Sequence, residues 1–268
     1  TDARVVPCIE VINGWYGRKD IPVGAPKGYS APRLTTSMLR TDWPGYLVSH
    51  FAHATDSTAC APSAVETYRR VLSRQPDGSV TICTLGFFSN LKALLASGPD
   101  RWSKLSGKDL VAKKVKLLVS MAGAFPNGYE FNVYWDADAA RTVADEWPTP
   151  IIFSGWEIGS EIFTGNAVRD LPGDISANPI KAAYTLALSE DDRPHGRDSW
   201  DQTAALVAIR GAAPWFTLRH GHMTVDGKGN NKWTDDPQGQ HAYLVFAQPI
   251  KQVRDAIEAL MTQMPRKR

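Results

Sequence analysis

Three short segments of this sequence bring together polar side chains that could do chemistry. They are Thr84 to Asn90, Gly123 to Asn132 and Arg197 to Gln202. Amides and carboxylates can hold sugar hydroxyls through paired donor and acceptor contacts. Carboxylate and carbonyl oxygens are also the ligands that hard cations such as calcium prefer. These segments therefore point to a sugar-binding or cation-binding site.

The second segment carries Asn127, Glu130 and Asn132 directly after a strongly apolar run. A site at the end of a buried strand would place these groups around one ligand. An ordinary loop, with Asn127-Gly128 as a turn and Glu130 in solvent, explains the same residues equally well. Both interpretations stay open.

The other two segments have simple structural alternatives. Around Gly86 the pattern is typical of a strand-to-helix turn in which Ser89 caps the next helix. Ser199 and Gln202 have capping-box spacing, so Asp201 would lie in a first helical turn, where the helix dipole favours an acid. Asp201 could equally ligate a cation, but one aspartate cannot build a site.

The apolar periodicity predicts strands that alternate with helices. The predicted strands are Ile21 to Tyr29, Val80 to Leu85, Val115 to Met121 and Pro150 to Ser154, with a hairpin of Thr217 to Val225 and His241 to Phe246. The predicted helices begin near Val5 and Ser63, begin at Ser89, and span Asp136 to Trp147, Pro179 to Leu188, Ser199 to Arg210 and Ile250 to Met261. Ser30 to Thr58 has no clean period and is predicted to be irregular.

This order predicts an α/β fold: an open, mostly parallel, Rossmann-like sheet with helices on both faces, followed by a carboxy-terminal hairpin and helix. Ligands in such folds gather at the carboxyl ends of the strands, where the polar segments lie. With 268 residues and no low-complexity break, residues 1–268 are expected to form a single domain.

Composition and motifs exclude several classes of protein. Lys and Arg number 30 against 28 Asp and Glu, and they are scattered, so no nucleic-acid partner is expected. The apolar runs are far shorter than the ~20 residues that cross a bilayer, so a soluble protein is expected, in a compartment left open. The sequence lacks the signatures of serine hydrolases, phosphate-binding loops and dinucleotide-binding proteins.

At the polar segments the sequence resembles the inosine-uridine preferring nucleoside hydrolases. The resemblance covers most of residues 3 to 210. With a segment reading SWDQT and a polar hairpin before its last helix, the chain resembles the nucleoside hydrolase-like branch best. The matching segments are Asp20 to Gly24 with the family's diPVG strand, Gly86 to Asn90 with its GPLTN-like loop, Glu130-Phe131-Asn132 with its EFN motif, Asp136 and Ala139-Ala140 in register after it, and Ser199-Trp200-Asp201 with its His-Asp pair.

The resemblance implies an N-ribohydrolase that cleaves the N-glycosidic bond of ribonucleosides with a calcium-activated water. Carried over residue by residue, Asp201 and the backbone carbonyl of Leu85 would be calcium ligands. Glu130, Asn132 and, less closely matched, Asn127 would hold the ribose hydroxyls. The expected cofactor is calcium, and the expected partner is a small nucleoside or ribosyl substrate.

This sequence departs from the family's pattern at two places, and each limits the residue roles that the resemblance implies. The family's amino-terminal DxDxxxDD segment, which supplies the catalytic base, most calcium ligands and the first strand, has no counterpart here. The domain is therefore expected to be incomplete at its amino terminus, and the base cannot be named. Trp200 stands where many members carry a histidine that protonates the leaving base. Tryptophan cannot donate that proton, although it could stack on the leaving group.

Two functions from different classes follow. One is a nucleoside hydrolase whose missing residues come from a segment outside this chain; the other is a non-catalytic sugar- or nucleoside-binding protein of the same fold. A glycosidase with Glu130 and Asp136 as its carboxylate pair is a third, more distant alternative. A separate amino-terminal segment and a homo-oligomer are left open as partners.

Overall fold

The computed structural model describes residues 2–28, 41–188, 192 and 194–265. Its contacts divide the chain into two compact units. The first unit comprises Thr1–Thr67, Phe163–Arg197 and Arg254–Arg268, and the second, which we call the sheet unit, comprises Tyr68–Ile162 and Asp198–Val253. That residues 1–268 act as one domain stays a prediction.

The elements follow the predicted alternation of strands and helices. The strands are β1 Val80–Thr84, β2 Val115–Met121, β3 Asn127–Tyr129, β4 Ile151–Ser154, β5 Phe163–Thr164, β6 Arg197–Asp198, β7 Phe216–Val225, β8 Asn230–Asp235 and β9 His241–Phe246. The helices are α1 Val5–Trp15, α2 Trp43–His50, α3 Ala64–Ser73, α4 Ser89–Leu95, α5 Gly107–Lys114, α6 Phe131–Tyr134, α7 Ala137–Glu146, α8 Trp156–Gly159, α9 Asn166–Arg169, α10 Pro179–Ala187, α11 Trp200–Arg210 and α12 Ile250–Met261.

The sheet unit contains a seven-stranded sheet in the order β1-β2-β4-β9-β7-β8-β3. Strands β1, β2, β4 and β9 run parallel, whereas β7 is antiparallel to β9 and β8, and β3 is antiparallel to β8. This mixed, mostly parallel architecture confirms the predicted α/β fold.

Strand β2 is buried on both faces. Two adjacent residues of this strand, Leu118 and Val119, point to opposite faces of the sheet, and both are fully buried. A strand covered on both sides reads as an almost continuous apolar run, which explains why this strand was predictable. Helix α11 packs against β1, β2 and β4, so it covers part of this parallel core.

The parallel register brings three strand ends to one edge of the sheet. Thr84 at the end of β1 pairs with Ser120 of β2, and Met121 of β2 pairs with Ser154 at the end of β4. The chain leaves all three strands at the same level because parallel strands end on the same side. The loops that begin at Leu85, Ala122 and Gly155 therefore lie side by side.

Two predictions in the first unit are wrong. Within Ile21 to Gly28 only Ala25 makes a bridge, to Ser63, because Pro22 and Pro26 have no N–H groups for a ladder. Tyr29 and residues 30–40 lie outside the described residues. The segment predicted to be irregular contains α2, where Asp42 accepts the Gly45 N–H at 3.2 Å. Eight residues are too few for a clear helical period.

The predicted hairpin is also more complex than its sequence pattern. Strand β7 pairs with β9, as predicted, but it also pairs with β8, which lies in the segment predicted to be a polar loop. Asn231 and Trp233 of β8 are buried, whereas their neighbours are exposed. Because most residues of β8 are polar, the alternation between buried and exposed side chains is not visible as an alternation of hydrophobicity in the sequence.

The first unit has its own small apolar core. Helix α1, predicted from the spacing of its apolar residues, packs against α2 and α10. Cys8, Leu47 and Ala182 are buried where these helices meet. No helix among the described residues is long and apolar enough to cross a membrane.

Arg69 of α3 is the largest fully buried side chain of the sheet unit, with 1% of its surface exposed. It joins α3 to the segment between α4 and α5. Its partners are the Asp100 carboxylate at 2.9 Å, the Ser97 hydroxyl at 2.9 Å, and the carbonyls of Ser103 at 3.1 Å and Leu105 at 2.9 Å.

Replacing Arg69 with alanine should lower the free energy of unfolding by about 3–5 kcal/mol, because it leaves buried acceptors without their donor. Arg141→Ala removes an exposed ion pair with Asp138 and should cost at most about 1 kcal/mol. Urea denaturation of both variants measures the difference. Equal losses of unfolding free energy in the two variants would show that the buried contacts of Arg69 do not stabilise the sheet unit.

Candidate functional site

Glu130 lies at the centre of the polar strand ends in the sheet unit. It is 3% exposed, so the solvent-exposed alternative for this residue is wrong. One carboxylate oxygen accepts the Gly123 N–H at 3.0 Å, and the other accepts the Asn132 N–H at 2.9 Å. Gly123 has a positive φ of 81°, which favours glycine. The carboxylate thereby joins the end of β2 to the start of α6.

Asn132 extends the same connection back to β2. Its Nδ2 donates to the Met121 carbonyl at 3.0 Å. Its Oδ1 accepts no hydrogen bond from any residue that the structure describes. The side chain is thus oriented by the protein while one acceptor remains available for a hydroxyl donor.

Burial raises the pKa of Glu130 to about 7, and the nearby charge of Asp201 contributes to the same direction. The backbone N–H groups of Asn132 and Gly123 oppose this shift without cancelling it. A carboxyl group with a pKa in this range changes its protonation state near neutral pH. Such groups are concentrated at functional sites.

Asp201 lies in the first turn of α11, as predicted. The residue is exposed at the surface, yet partial desolvation by the surrounding protein raises the pKa of its carboxyl to about 6. Within the described part of the chain, its carboxylate has no hydrogen-bond or ion-pair partner. A surface carboxylate without a protein partner is accessible to a ligand.

Two buried hydroxyl pairs set the position of α11 against the strand ends. Thr84 donates to the Ser120 hydroxyl at 2.7 Å, joining β1 to β2. The Ser154 and Thr203 hydroxyls are 2.6 Å apart, joining β4 to α11. Because Asp201 is two residues before Thr203, these contacts hold it near Glu130.

The predicted capping contacts are not made. Ser199 takes the N-cap position of α11 but makes no side-chain capping bond, and Ser89 is the first residue of α4 rather than its cap. Asp136 likewise takes the N-cap position of α7 without a side-chain capping bond. The sequence predicted where these residues lie along their helices, but it did not predict which way their side chains point.

Trp200 lies beside Trp156 at the strand ends. Its indole Nε1 donates to the Trp156 carbonyl at 3.1 Å, and the Trp156 side chain is 51% exposed. A side chain at Gly159 would collide with Trp200, since a Cβ there would lie 2.4 Å from its Cα. The close approach of α8 and α11 therefore holds the Trp200 indole in place.

Leu85 and Asn127 differ in their placement. Leu85 directly follows β1, at the same edge as Glu130 and Asp201. Asn127 belongs to β3, at the other end of the strand order, so the predicted turn at Asn127-Gly128 is wrong. The Asn127 Oδ1 accepts the Trp233 N–H at 3.3 Å. Its role as a ligand for sugar stays a prediction.

Sequence reasoning missed Glu157, which follows β4 in the first turn of α8. One of its oxygens accepts the Phe125 N–H at 3.1 Å, and burial raises the pKa of its carboxyl. The available signal was an acid three residues after an apolar strand. That signal is weak because most such acids lie in solvent.

The donor set does not by itself complete a calcium site. Calcium takes about six to eight oxygen ligands. Across the described residues, no three acidic, histidine or cysteine side chains converge on one point. Asp201 and the Leu85 carbonyl could supply two ligands, while both Glu130 oxygens already accept N–H groups.

The arrangement can bind a polar ligand and stabilise positive charge. The buried Glu130 carboxyl group, the exposed Asp201 carboxyl group, an oriented amide and an indole lie at adjoining strand ends. Carboxylates in a low-dielectric setting interact strongly with a developing cation. The indole offers an apolar face for a planar ring.

Comparisons with known proteins agree with this architecture. The family model described as inosine-uridine preferring nucleoside hydrolase matches residues 8–247. An uncharacterized protein of Schizosaccharomyces pombe is 28% identical over 201 residues, which cover 68% of this chain and 58% of that protein. The chain thus spans less than two thirds of this relative.

Solved structures share the fold. A plant nucleoside hydrolase, the PpNRh1 enzyme, matches with a TM-score of 0.69 and 19% identity, covering 97% of this chain and 86% of that one. A purine-preferring ribonucleoside hydrolase from Gardnerella vaginalis matches with a TM-score of 0.69 and 15% identity, covering 96% and 85%. At these identities the likeness shows the fold alone.

The raised pKa of Glu130 should make stability depend on pH. Its folded pKa of about 7 exceeds the ordinary 4.5, so its contribution is fully present below pH 4.5 and is lost as pH rises through 7. The wild-type free energy of unfolding should therefore fall by about 3 kcal/mol over this range, relative to Glu130→Gln.

Urea denaturation in a chelating buffer, at several pH values, measures this difference. Glu130→Gln lacks this pH-dependent contribution, and it also carries a constant loss of stability, because its amide NH₂ opposes a backbone N–H. The comparison therefore uses the slope with pH and not the absolute stability. Parallel pH curves would contradict the shift.

Proposed function

Because this chain belongs to the inosine-uridine preferring nucleoside hydrolase family, we propose that it takes part in hydrolysis of the N-glycosidic bond of ribonucleosides. The observation that carries the proposal is the pairing of Glu130 and Asp201. Both groups lie at the carboxyl ends of the parallel strands, Glu130 buried and Asp201 exposed, and the charge of Asp201 contributes to the raised pKa of Glu130. That edge is where open α/β sheets bind ligands.

The proposed reaction places positive charge on the sugar ring. As the bond from the anomeric carbon to the base nitrogen breaks, its electron pair leaves with the base and the ring becomes oxocarbenium-like. Carboxylates fixed near the ring stabilise that charge more than they stabilise the neutral substrate, which is the requirement for catalysis. Water then adds to the anomeric carbon and loses a proton, giving free ribose.

Glu130 and Asn132 are the proposed ribose ligands. The Asn132 Oδ1 is an acceptor with no described donor, and its amide is held by Met121. Glu130 already accepts two N–H groups, but a carboxylate offers about four acceptor positions, so it can still accept a hydroxyl. Their fixed orientation would present the sugar in one pose.

Calcium binding through Asp201 and the Leu85 carbonyl is a further part of the proposal. When bound, the ion would orient the sugar hydroxyls and lower the pKa of a bound water. The described residues do not complete its coordination shell, so no step of the reaction is derived through it. The catalytic base is likewise not among the residues assigned here.

Trp200 is proposed to contact the leaving base. Its ring is held by the bond from Nε1 to the Trp156 carbonyl, so stacking would require little further ordering. The Trp200 indole cannot protonate the leaving base. Its carbon-bound hydrogens are not acidic, and its N–H already donates to the Trp156 carbonyl. Protonation of the base therefore has to come from another group or from solvent.

The direct test measures ribose release from a panel of purine and pyrimidine nucleosides. It uses the 268-residue chain and, in parallel, the protein expressed from its full coding sequence. We expect hydrolysis that is lost on chelation and restored by calcium. Absence of reducing sugar from every nucleoside, for both proteins and with calcium present, would exclude the hydrolase and leave ligand binding without turnover.

Asp201→Asn provides the matched variant for this assay, because it removes the charge and keeps the size. It should lower kcat/KM by about 100-fold or more, as expected when several kcal/mol of transition-state stabilisation are lost. Asp145→Asn changes an exposed aspartate on α7 and should leave the rate within about twofold. Similar values of kcat/KM for the two variants would show that Asp201 takes no part in the site.

Trp200→Ala should raise KM for nucleosides about tenfold, because ring stacking is worth about 0.5–1.5 kcal/mol beyond area burial. Trp200→Phe keeps an aromatic face and should stay within about threefold of wild type. Steady-state kinetics on both variants measures this. An unchanged KM in Trp200→Ala would show that the indole does not contact the base.

A further inference from the structure

The turn Gly155-Trp156-Glu157, which we call the β4 turn, binds the loop after β2 at two points. The Glu157 carboxylate accepts the Phe125 N–H at 3.1 Å. The Trp156 N–H donates to the Gly123 carbonyl at 2.8 Å. Gly123 is also the residue whose N–H binds Glu130. The β4 turn therefore holds the loop that sets the position of Glu130.

The same turn also holds Trp200. The Trp156 carbonyl accepts the indole N–H of Trp200 at 3.1 Å. Two residues proposed to contact substrate, Glu130 and Trp200, are thus anchored through neighbouring backbone atoms of one turn. A displacement of this turn would move both.

Gly155 provides the space in which the Glu157 carboxylate lies. A Cβ on Gly155 would be 2.3 Å from one carboxylate oxygen and 2.5 Å from the other. The backbone angles of Gly155, φ −73° and ψ 166°, are ordinary for alanine. A side chain at position 155 would therefore displace the Glu157 carboxylate, although the backbone there suits any residue.

The Glu157 carboxylate is poorly explained as a stabilising group. Its Oε1 is shielded from water and has no hydrogen-bond partner within the residues described. A buried polar atom without a partner costs about 1–3 kcal/mol. The pKa of its carboxyl is raised by burial and lowered by backbone N–H groups, with no contribution from a charged side chain in the described part of the structure. The remaining contact of the carboxylate is its hydrogen bond to the Phe125 N–H, which holds the loop after β2.

We propose that Glu157 is a positioning residue of the substrate site, which acts by fixing the Phe125 N–H and hence the loop that carries Glu130. This proposal rests on the proposed function. It adds a residue of α8, directly after β4, to a site otherwise built from β1, β2, α6 and α11. Glu157 itself is not assigned a contact with the substrate.

Glu157→Ala and Glu157→Gln separate this role from a general structural one. Alanine cannot accept the Phe125 N–H, so kcat for the best nucleoside should fall about 10- to 100-fold, because misplacement by about 1 Å can cost 100-fold. Glutamine keeps an acceptor oxygen and should restore kcat to within about threefold of wild type. Glu146→Gln, on the exposed end of α7, is the matched control and should be unchanged.

A double-mutant cycle tests the contact itself. Gly155→Ala should lower kcat as much as Glu157→Ala does, because its Cβ displaces the carboxylate. In the Glu157→Ala background the same change should have less than a threefold effect, since the colliding group is gone. Independent effects that multiply in the double variant would overturn the proposed link between Gly155 and Glu157.

Hydrogen exchange of the segment 122–131 supplies a readout that does not depend on turnover. Exchange should rise at least tenfold in Glu157→Ala and Gly155→Ala, and stay at the wild-type rate in Glu157→Gln and Glu146→Gln. If wild type hydrolyses no nucleoside, the proposed function fails, and nucleoside affinity from calorimetry then replaces kcat. Wild-type exchange in Glu157→Ala, or equal kcat or affinity losses in its Ala and Gln variants, would overturn the proposal.

Discussion

The buried carboxylate of Glu130 is the interaction on which the rest of the site depends. Its two oxygens accept N–H groups from Gly123, at the end of β2, and from Asn132, at the start of α6. A charged group so enclosed would be costly without these donors. Because both donors are backbone groups, the carboxylate fixes the path of the chain as well as its own position. Asn132 strengthens the same junction by donating to Met121.

The parallel strands supply the frame for that junction. Their common direction brings the loops after β1, β2 and β4 to one edge, and buried hydroxyl pairs place α11 against them. Short hydroxyl side chains at Thr84, Ser120, Ser154 and Thr203 satisfy one another in space too small for longer polar groups. Asp201 therefore reaches the edge from a helix, whereas Glu130 reaches it from a loop. Burial accounts for the raised pKa of Glu130, and the nearby charge of Asp201 adds to it.

Several regular elements were predictable because their signals are local. The apolar run of β2, the spacing of apolar residues in α12 and the Ser199 start of α11 each lie within a few neighbouring residues. The errors occurred where the signal is weak or distributed. Strand β8 is mostly polar and alternates burial, and α2 spans too few residues for a period. The segment after Ile21 has apolar residues, but its prolines cannot pair.

The sequence by itself determined the types of chemical group at the strand ends and the family to which the chain belongs, because motifs and periodicities are carried by nearby residues. Only the tertiary structure decided which of these groups meet. Asp201 comes close to Glu130 across a long stretch of chain, whereas Asn127, only three residues from Glu130, enters β3 and binds Trp233. Glu157 contacts the loop after β2 through the Phe125 N–H, a bond between segments 32 residues apart. Hydrogen bonds between distant segments depend on the packing of the whole sheet, which no local pattern of residue types specifies.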